Sequence, residues 1–449
     1  MEIVLKETDT LLNSFDVYSI FKDEKNVVFL DSGRDFESLG RYSFIGLNPF
    51  KIIKGRHNRC NIDGTEYVCD IFLKLSELLN KYKAHNNTDI PFIGGCMGYF
   101  SYDLGLELEG VIGKSKEDLI IPHYYFMFYD NLIIFDNKSG KKFISACGMN
   151  NKHHKSISLI EERISKQKKV EGGQIKRSAV SLNSNFTEQE YVETVRKVKE
   201  YIENGDIYIA NLTQRYTAHT DKDSYEIFRD LRNINPAPFA AFMRLDDFEV
   251  ISSSPERFLR VIDNNAETRP IKGTMPRGKT IAQDEHNRDK LINSSKDKAE
   301  LLMIVDLERN DLSKVCKPHT VKVNELFRLE EYSTVFHLVA AVSGELKETV
   351  DSVHCLKACF PGGSITGAPK LRSMEIIDEL EGVNRGLYTG CIGYFSFDGN
   401  ADFNIVIRTI IKKDSRVYFG VGGGITWHSV EEAEYQETLH KADALMRVI

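Results

Sequence analysis

The chain has 449 residues, of which 41% are hydrophobic, 10% are aromatic and 28% are charged. This composition excludes an intrinsically disordered, collagen-like or disulfide-scaffold protein, and at about 150 residues per domain the length allows two or three domains. Lysine and arginine total 59 against 66 aspartates and glutamates, and the net charge of −7 argues against a dedicated nucleic-acid-binding protein.

No stretch of the sequence suggests a membrane span or an export signal. No window approaches the roughly 18 consecutive apolar residues of a membrane helix, and MEIVLKETDT lacks the basic start and apolar core of a signal peptide. The eight cysteines show no CxxC or Cys/His metal spacing, which favours a reducing compartment. We therefore expect a soluble, cytoplasmic protein with free thiols at Cys60, Cys69, Cys96, Cys147, Cys316, Cys355, Cys359 and Cys391.

The first third of the chain is typical of a sheet domain. Short alternating segments (NVVFLDS, RYSFIG and HYYFMFYDNLIIFD) predict strands. The basic stretch 166–185 contains Gly172-Gly173 and no apolar periodicity, which favours a solvated linker. We therefore predict an N-terminal sheet domain at residues 1–165, followed by a linker at 166–185.

A second domain, residues 186–449, begins with a strong helix signal. Thr187 and Glu190 form a capping box, and Asn204-Gly205 supplies a stop. Strands that cluster in blocks, without regular βαβ units, predict an α+β fold with large, mostly antiparallel sheets flanked by helices. The predicted strands are 249–262, 401–413 and 416–424, and the predicted helices lie around 285–312, 351–358, 369–380 and 430–447.

Two segments of the chain are nearly identical. GCMGYFSYD at 95–103 and GCIGYFSFD at 390–398 differ at two positions. Alternation after a glycine predicts that each is a strand, at equivalent positions in related sheets. No periodic array follows, which excludes a solenoid.

Two helical segments each carry a pair of acids. Asp297 and Glu300 are three residues apart, as are Glu434 and Glu437, and Lys441 follows one turn later. Mg²⁺ prefers a few carboxylates plus waters and a substrate oxygen, so two such helices predict a magnesium site. The alternative is a set of solvated surface acids, which are common at this spacing.

A lysine lies at the centre of the Pro/Gly-rich segment 267–278, which we interpret as a rigid loop. If Lys272 is partly buried there, its pKa falls and its amine becomes a nucleophile. The alternative is an exposed lysine in a turn.

Three further features could belong to an active site, one as a proton donor and two as groups that bind an anion. Glu256 follows a strand and a proline, where it could donate a proton or form a surface ion pair with Arg257. Arg408, predicted on one strand face with Asn404 and Val406, would suit a carboxylate. The glycine cluster at 420–425 lacks a P-loop ending but could admit an anion to its amides.

Seven motifs occur together and in a fixed order: RPIKGTMPRG, AELLMIVDLERNDL, CFPGGSITGAPK, YTGCIGYF, NIVIRT, GGGIT and AEYQETLHKA. In this combination, from about residue 186 to the end, the chain resembles the chorismate-utilising enzymes, which include anthranilate, aminodeoxychorismate, isochorismate and salicylate synthases. The N-terminal FLDSGRDFESLGRYSFIG segment is similar to the corresponding part of the first two. The resemblance implies the fold of anthranilate synthase and an active site for chorismate.

The resemblance also implies roles for individual positions. Glu300 and Glu437 match acids that hold Mg²⁺ on the C1 carboxylate of chorismate, with Asp297 and Glu434 as their helpers. Glu256 matches the general acid that helps the C4 hydroxyl to leave. His337 and Ser364 match positions beside the ring, and the second substrate carboxylate would be held by Arg408, Tyr388, Lys441, Gly422 and Gly424.

Within this family, Lys272 distinguishes two reactions. Anthranilate synthases usually carry a small residue in the PIAGT-like form of the motif, whereas aminodeoxychorismate synthases carry lysine, as here. With lysine, the ε-amine attacks C2 and ammonia then adds at C4. The resemblance is therefore closest to the large subunit of aminodeoxychorismate synthase, with anthranilate synthase as the alternative and a non-catalytic regulatory subunit as a third hypothesis.

The resemblance implies a partner, because the chain lacks a cysteine-centred glutaminase segment. Ammonia would come from a glutamine amidotransferase subunit, and a separate lyase would convert the product to p-aminobenzoate for folate. Relatives also bind tryptophan in the N-terminal sheet. The matching positions are Ser32, Leu39, Gly40, Arg41, Tyr42, Pro238, Phe239 and Ala240, although LDS departs from the usual LLES form and a plain hydrophobic core is the alternative.

Overall fold

The computed structural model describes residues 1–33, 35, 39–169, 180–332 and 335–449. Within these residues the strands are β1 Val4–Glu7, β2 Val28–Asp31, β3 Tyr42–Arg56, β4 Arg59–Ile62, β5 Thr65–Val68, β6 Gly95–Phe100, β7 Tyr124–Asp136, β8 Lys142–Ala146, β9 Leu182–Ser184, β10 Ile209–His219, β11 Phe239–Arg244, β12 Phe248–Ser254, β13 Arg257–Ile262, β14 Asn265–Arg269, β15 Ile271–Pro276, β16 Lys322–Glu331, β17 Val335–Glu345, β18 Gly367–Ala368, β19 Cys391–Ser396, β20 Ala401–Ile405, β21 Thr409–Lys413 and β22 Arg416–Ile425.

The helices in the same described ranges are α1 Ser14–Tyr18, α2 Ile71–Lys81, α3 Tyr102–Leu108, α4 His153–Ser165, α5 Glu188–Glu203, α6 Ser224–Ile234, α7 Ile281–Ile292, α8 Ser295–Val315, α9 Ser352–Cys359, α10 Lys370–Glu381 and α11 Glu431–Met446, with a 3₁₀ helix at Gly363–Ile365. The predicted capping box is present, since Thr187 accepts from the Glu190 amide while Glu190 accepts from the Thr187 amide. None of these helices is long and apolar enough to cross a membrane.

The strands form one continuous antiparallel path. It runs β10–β22–β21–β12–β11–β2–β3–β7–β6–β19–β20–β13–β14–β17, and β15 and β16 both pair with β17. The predicted α+β fold with large antiparallel sheets is therefore confirmed. The domain division stays a prediction, because strands of both predicted domains pair at β2–β11 and β6–β19 and much of the predicted linker, residues 170–179, lies outside the described residues.

The two nearly identical segments are hydrogen-bonded to each other. β6 and β19 pair antiparallel with Gly98 opposite Gly393, which occupy the same position in the two segments. The repeat therefore places an approximate two-fold axis at the centre of the sheet. A side chain at either glycine would collide with backbone within 2.1 Å, which explains the residue type.

Two local expectations near the glycine and proline positions are wrong. The segment around Lys272 is strand β15 rather than a loop, and its ladder to β17 shifts register at Gly273, whose φ is +76°. The predicted strand 401–413 is broken after Ile405, so Arg408 lies in a bend with φ +53° and shares no strand face with Asn404 and Val406. The chain turns there because β20 pairs with β13 whereas β21 pairs with β12, and Pro255 separates those two partners.

The expectation of eight free thiols is wrong for one pair. Cys60 on β4 and Cys69 after β5 form a disulfide, because the short hairpin brings their Cα atoms to 6.4 Å. The other six cysteines are free and buried. Buried thiols behave as small apolar side chains, so these six contribute to packing.

Candidate active site

Three predicted residues meet where β12, β15 and the 3₁₀ helix converge. Nζ of Lys272 donates to the Ser364 carbonyl at 3.0 Å, and the Ser364 side chain hydrogen-bonds Glu256. Glu256 is 6% exposed and accepts from the Ile271 amide at 3.5 Å. Arg257, the alternative partner of Glu256, instead forms a bidentate ion pair with Asp402. Glu256 is therefore directed towards Lys272 and not to a surface ion pair.

Burial shifts the pKa of both groups in the direction that suits a nucleophile and an acid, although each group opposes the shift of the other. Burial lowers the pKa of Lys272, although the charges of Glu300 and Glu256 oppose the shift. Burial raises the pKa of Glu256, although Ser364 and Lys272 oppose it. An amine that loses its proton easily and a carboxyl that keeps one are what nucleophilic attack and general acid catalysis require.

His337 lies on β17, directly opposite Thr274 of β15. Its Nδ1 lies 2.9 Å from the Thr274 hydroxyl, and its ring meets the Tyr332 ring edge-on at 5.5 Å. The imidazole is 7% exposed, so these contacts fix its orientation. It lies on the same ladder as Lys272, two residues along β15.

The predicted acid pairs face each other from α8 and α11. Nζ of Lys296 lies 3.4 Å from Glu434 and 3.9 Å from Glu300, and so joins the two helices. Glu300 and Glu434 are 8% and 5% exposed, so these two are not solvated surface acids, whereas the side chain of Glu437 is 50% exposed. Asp297 lies one turn before Glu300, beside Gly273, where an added Cβ would come within 2.9 Å of its carboxyl carbon.

Glu437 and Lys441 line the outer side of this cluster. Lys441 Nζ lies 2.6 Å from Glu437 and donates to the Gly422 carbonyl at 2.7 Å. Burial would raise the pKa of Glu437, but the charge and hydrogen bond of Lys441 lower it below its ordinary value. A Cβ at Gly423 would lie 3.5 Å from Glu437, and one at Gly424 would lie 3.7 Å from Glu300. The glycines of β22 therefore keep a narrow space open beside the acids.

The acid cluster has the chemistry of a Mg²⁺ site. Oε1 of Glu300 is buried without a hydrogen-bond partner, and burial together with Asp297 and Glu434 raises its pKa even though Lys272 and Lys296 oppose the shift. A buried carboxylate oxygen that lacks a partner is costly unless a cation or a proton joins it. Carboxylates of Glu300 and Glu437 could hold Mg²⁺ with waters, with Glu434 and Asp297 behind them.

Tyr388 lies against the middle of β22 and near Arg408. The Tyr388 ring packs on Gly420, where an added Cβ would come within 2.3 Å of it. Burial raises the pKa of Tyr388, and the positive charges of Arg385 and Arg408 oppose the shift. Tyr388 thus lies within the electrostatic reach of Arg408, as expected for two groups that hold one carboxylate.

A buried ion pair behind Tyr388 is absent from the sequence predictions. Arg385 and Glu381 are 6% and 4% exposed and share two hydrogen bonds, the Nε bond at 2.9 Å and the Nη2 bond at 2.7 Å. Glu381 also accepts from the Thr213 amide, and Arg385 donates to the Ile365 carbonyl. The pair therefore ties β10 and the 3₁₀ helix to the turn that carries Tyr388. In sequence it is indistinguishable from an exposed i,i+4 pair.

Glu308 is a second buried acid that sequence reasoning missed. It lies on α8, 7% exposed, and burial raises its pKa to about 8, with Glu256 and Asp311 adding to the shift. Its Oε2 is buried without a hydrogen-bond partner. The sequence did contain one signal that Glu308 is buried: it lies on the apolar stripe of α8, four residues after the buried Ile304.

Replacing Glu308 with glutamine should make the stability of the chain less sensitive to pH. A raised native pKa means that the folded chain holds a proton that the unfolded chain releases above about pH 4.5, so wild-type stability falls with rising pH up to about 8. The stability advantage of Glu308→Gln should grow by up to about 1.4 kcal/mol per pH unit in that window. Denaturant unfolding of both proteins at pH 5.5 and 8.0 measures this difference in the free energy of unfolding.

The matched control is Asp306→Asn, which neutralises an exposed acid on the same helix that pairs with Arg309. It should shift stability equally little at both pH values. A Glu308→Gln advantage that is the same at pH 5.5 and 8.0 would contradict the raised pKa.

The positions predicted to bind tryptophan surround a cavity of about 370 Å³, and none of them belongs to the acid cluster. Seven of the eight positions line it, all but Gly40: Ser32, Leu39, Arg41, Tyr42, Pro238, Phe239 and Ala240, together with strand residues such as Ile392 and Asp402. Ser32 Oγ contacts the Tyr42 and Pro238 carbonyls at 2.8 and 2.9 Å. This volume is in the range of small-molecule sites, so the plain hydrophobic-core alternative does not describe the region.

Comparisons with known proteins identify the family of the chain. Residues 25–447 match the chorismate binding enzyme family. The chain is 36% identical to "Aminodeoxychorismate synthase component 1" of Bacillus subtilis, over 99% of this chain and 95% of that protein. It is 37% identical to "Anthranilate synthase component 1" of Aquifex aeolicus, over 98% and 94%.

Solved structures support the same assignment. Anthranilate synthase component I from Streptococcus pneumoniae superposes with a TM-score of 0.82 at 29% identity, covering 90% of this chain and 92% of that one. The two enzyme activities among the relatives are represented at nearly equal identity, so identity alone does not select a reaction. The extent of the family match and the similarity of both fold and sequence establish that this chain belongs to the chorismate binding enzymes.

Proposed function

We propose that the chain is the large subunit of an aminodeoxychorismate synthase, which converts chorismate and ammonia to 4-amino-4-deoxychorismate. The observation that carries the proposal is the side chain of Lys272, which is held between Ser364 and Glu256 with a lowered pKa. An anthranilate synthase needs space at this position for an external nucleophile at C2, and here a lysine fills it.

The mechanism uses Lys272 and Glu256 as a pair. The neutral ε-amine of Lys272 adds to C2 of chorismate, the ring double bonds shift, and the C4 hydroxyl leaves as water with the proton of Glu256. Ammonia then adds at C4, the double bonds shift back, and the amine of Lys272 departs from C2. The enolpyruvyl side chain is retained, so no pyruvate is released.

The surrounding residues hold the dianionic substrate. We assign Arg408, Tyr388, Lys441 and the amides of Gly422 and Gly424 to one carboxylate, and His337 and Ser364 to the edges of the ring. Mg²⁺ bound by Glu300 and Glu437 would neutralise the other carboxylate. Glu381 and Arg385 position the Tyr388 turn without touching the substrate.

A glutamine amidotransferase subunit would supply the ammonia in this proposal. The chain contains no cysteine-centred glutaminase segment, and the six free cysteines among the described residues are buried. Glutamine should therefore replace ammonium as the nitrogen source only when such a subunit is added. The product would then require a separate lyase to become p-aminobenzoate for folate.

The test is product identification with the purified chain. The chain is incubated with chorismate, Mg²⁺ and ammonium at mildly alkaline pH. The products are separated by chromatography and identified by mass spectrometry. Aminodeoxychorismate, converted to p-aminobenzoate only when a lyase is added, supports the proposal. Anthranilate with pyruvate would make the chain an anthranilate synthase, and no turnover would favour a regulatory subunit.

We propose separately that the N-terminal cavity binds tryptophan. The cavity combines the aromatic rings of Tyr42 and Phe239 with two ion pairs at its wall, Arg41 with Asp136 and Asp402 with Arg257, which suits an amphipathic ligand. Calorimetry with L-tryptophan should show one site per chain. Leu39→Trp, which fills the cavity, should abolish binding, whereas Leu73→Trp on the exposed face of α2 should not. Equal binding by both variants would place tryptophan elsewhere.

A further inference from the structure

One cluster of ligand-type side chains lies outside the active site. Nδ1 of His57 and Nδ1 of His123 lie 2.8 and 2.6 Å from the same oxygen, Oε1 of Glu107. In the part of the chain that the structure describes, this is the one group of three or more such residues whose ligand atoms all lie within 4.8 Å of one another. From this convergence we propose that His57, Glu107 and His123 bind a transition-metal ion of the zinc class.

The donor set selects the metal. Two imidazole nitrogens and one carboxylate suit Zn²⁺ and its first-row neighbours, whereas Mg²⁺ and Ca²⁺ prefer oxygen ligands alone. The acid cluster of the active site offers only carboxylates. The chain would therefore separate two metals by donor type, with Mg²⁺ at Glu300 and Glu437 and Zn²⁺ at the histidines.

The geometry needs little rearrangement. Zn²⁺ lies about 2.0–2.1 Å from its ligand atoms, and in a tetrahedral site these atoms are about 3.3 Å apart. The distance from each Nδ1 to Oε1 of Glu107 would therefore increase by about 0.5–0.7 Å. His57 is free to move because its side chain is 66% exposed, at the β3–β4 turn. His123 is 6% exposed and is held by two backbone bonds, to Gly55 and to Ser101. Because His57 is exposed, water could complete the shell.

A second carboxylate stands behind the buried histidine. Binding through Nδ1 moves the imidazole proton of His123 to Nε2, and Oε1 of Glu117 lies 3.8 Å from that atom. Arg56 approaches Nε2 at 3.3 Å, on the side of the ring away from Glu107, and is itself ion-paired with Glu117. Its charge is thereby compensated. Because arginine can only donate, Nε2 accepts from Arg56 in the metal-free chain and Nδ1 donates to Glu107, so a metal at Nδ1 would replace that proton and turn Arg56 away from the ring.

The cluster joins parts of the chain that support the active site. Glu107 belongs to α3, whose Gly105 packs against Pro361, in the segment that carries Ser364. The Tyr102 amide of the same helix donates to the Gly386 carbonyl at 2.9 Å. A metal at Glu107 would therefore anchor the β3–β4 hairpin to α3 and raise the thermal stability of this region.

The test is Zn²⁺ calorimetry on the full chain after removal of metals with a chelator, in excess Mg²⁺ so that the acid cluster is saturated. We expect one Zn²⁺ per chain and a Kd at least about tenfold weaker in His57→Asn and in Glu107→Ala. Asparagine suits the φ of +53° at position 57, so that variant should fold normally. Co²⁺ should give visible absorption bands in the wild type that His57→Asn lacks.

Two controls separate this site from the others. His154→Ala removes an exposed histidine of α4, and Glu437→Gln alters the acid cluster; both should bind Zn²⁺ as the wild type does. Absence of Zn²⁺ binding in the wild type, or equal affinity in His57→Asn, overturns the proposal. The outcome does not depend on which chorismate reaction the chain catalyses.

Discussion

Lys272→Ala is expected to lower formation of 4-amino-4-deoxychorismate at least about 10³-fold, the scale on which removal of a covalent nucleophile acts. The substitution removes the amine whose Nζ donates to the Ser364 carbonyl. No nucleophile then remains at this position. Space opened at this position also admits ammonia to C2. Residual activity should therefore appear as C2-aminated product, measured by chromatography and mass spectrometry.

The covalent step has its own readout. Wild-type enzyme quenched during turnover without ammonia should contain a peptide around Lys272 that carries the mass of chorismate less water. Lys279→Ala, which removes an exposed lysine from the next turn, is the matched control and should retain both adduct and activity. Full C4 amination by Lys272→Ala would show that the lysine is not the nucleophile.

Most strands and helices were located from the sequence because period-two and capping signals are local, but the predicted strand 249–262 is broken after Ser254 and the predicted helix 285–312 is broken after Ile292. The capping box at Thr187 and the strands NVVFLDS and RVYFGVGGG appear where the pattern places them. Sequence reasoning failed where a tertiary neighbour overrides the local pattern. Segment 267–278 is rich in glycine and proline, yet it pairs with β17 because a bulge at Gly273 absorbs the irregularity.

The sequence named residues that the structure brings together, but of their pKa shifts it suggested only that of Lys272. Motif order indicated Lys272, Glu256 and Glu300, whereas the burial that shifts their pKa values comes from packing between distant elements. The Glu381–Arg385 pair could not be distinguished from surface charges, because an i,i+4 spacing is the same in both cases. The Cys60–Cys69 disulfide was missed for a related reason: no spacing rule covers two cysteines brought together by a hairpin.

Glu437→Gln is expected to raise the Mg²⁺ concentration needed for half-maximal activity by about tenfold to a hundredfold. A carboxamide keeps the volume of Glu437 but supplies a neutral oxygen, which is a weaker ligand for a hard cation. It also frees Lys441, which loses its 2.6 Å ion pair and keeps its bond to Gly422.

Because Lys441 serves the substrate carboxylate in the proposed site, Glu437→Gln has two readouts. Loss of a metal ligand shifts the Mg²⁺ titration, whereas disturbance of Lys441 alone would raise the KM for chorismate at saturating Mg²⁺. Glu432→Gln, an exposed acid in the first turn of the same helix, controls for the charge change and should leave the titration unaltered. An unchanged Mg²⁺ dependence in Glu437→Gln would remove this residue from the metal site and leave Glu300 and Glu434, which flank Lys296, as the carboxylates available to the ion.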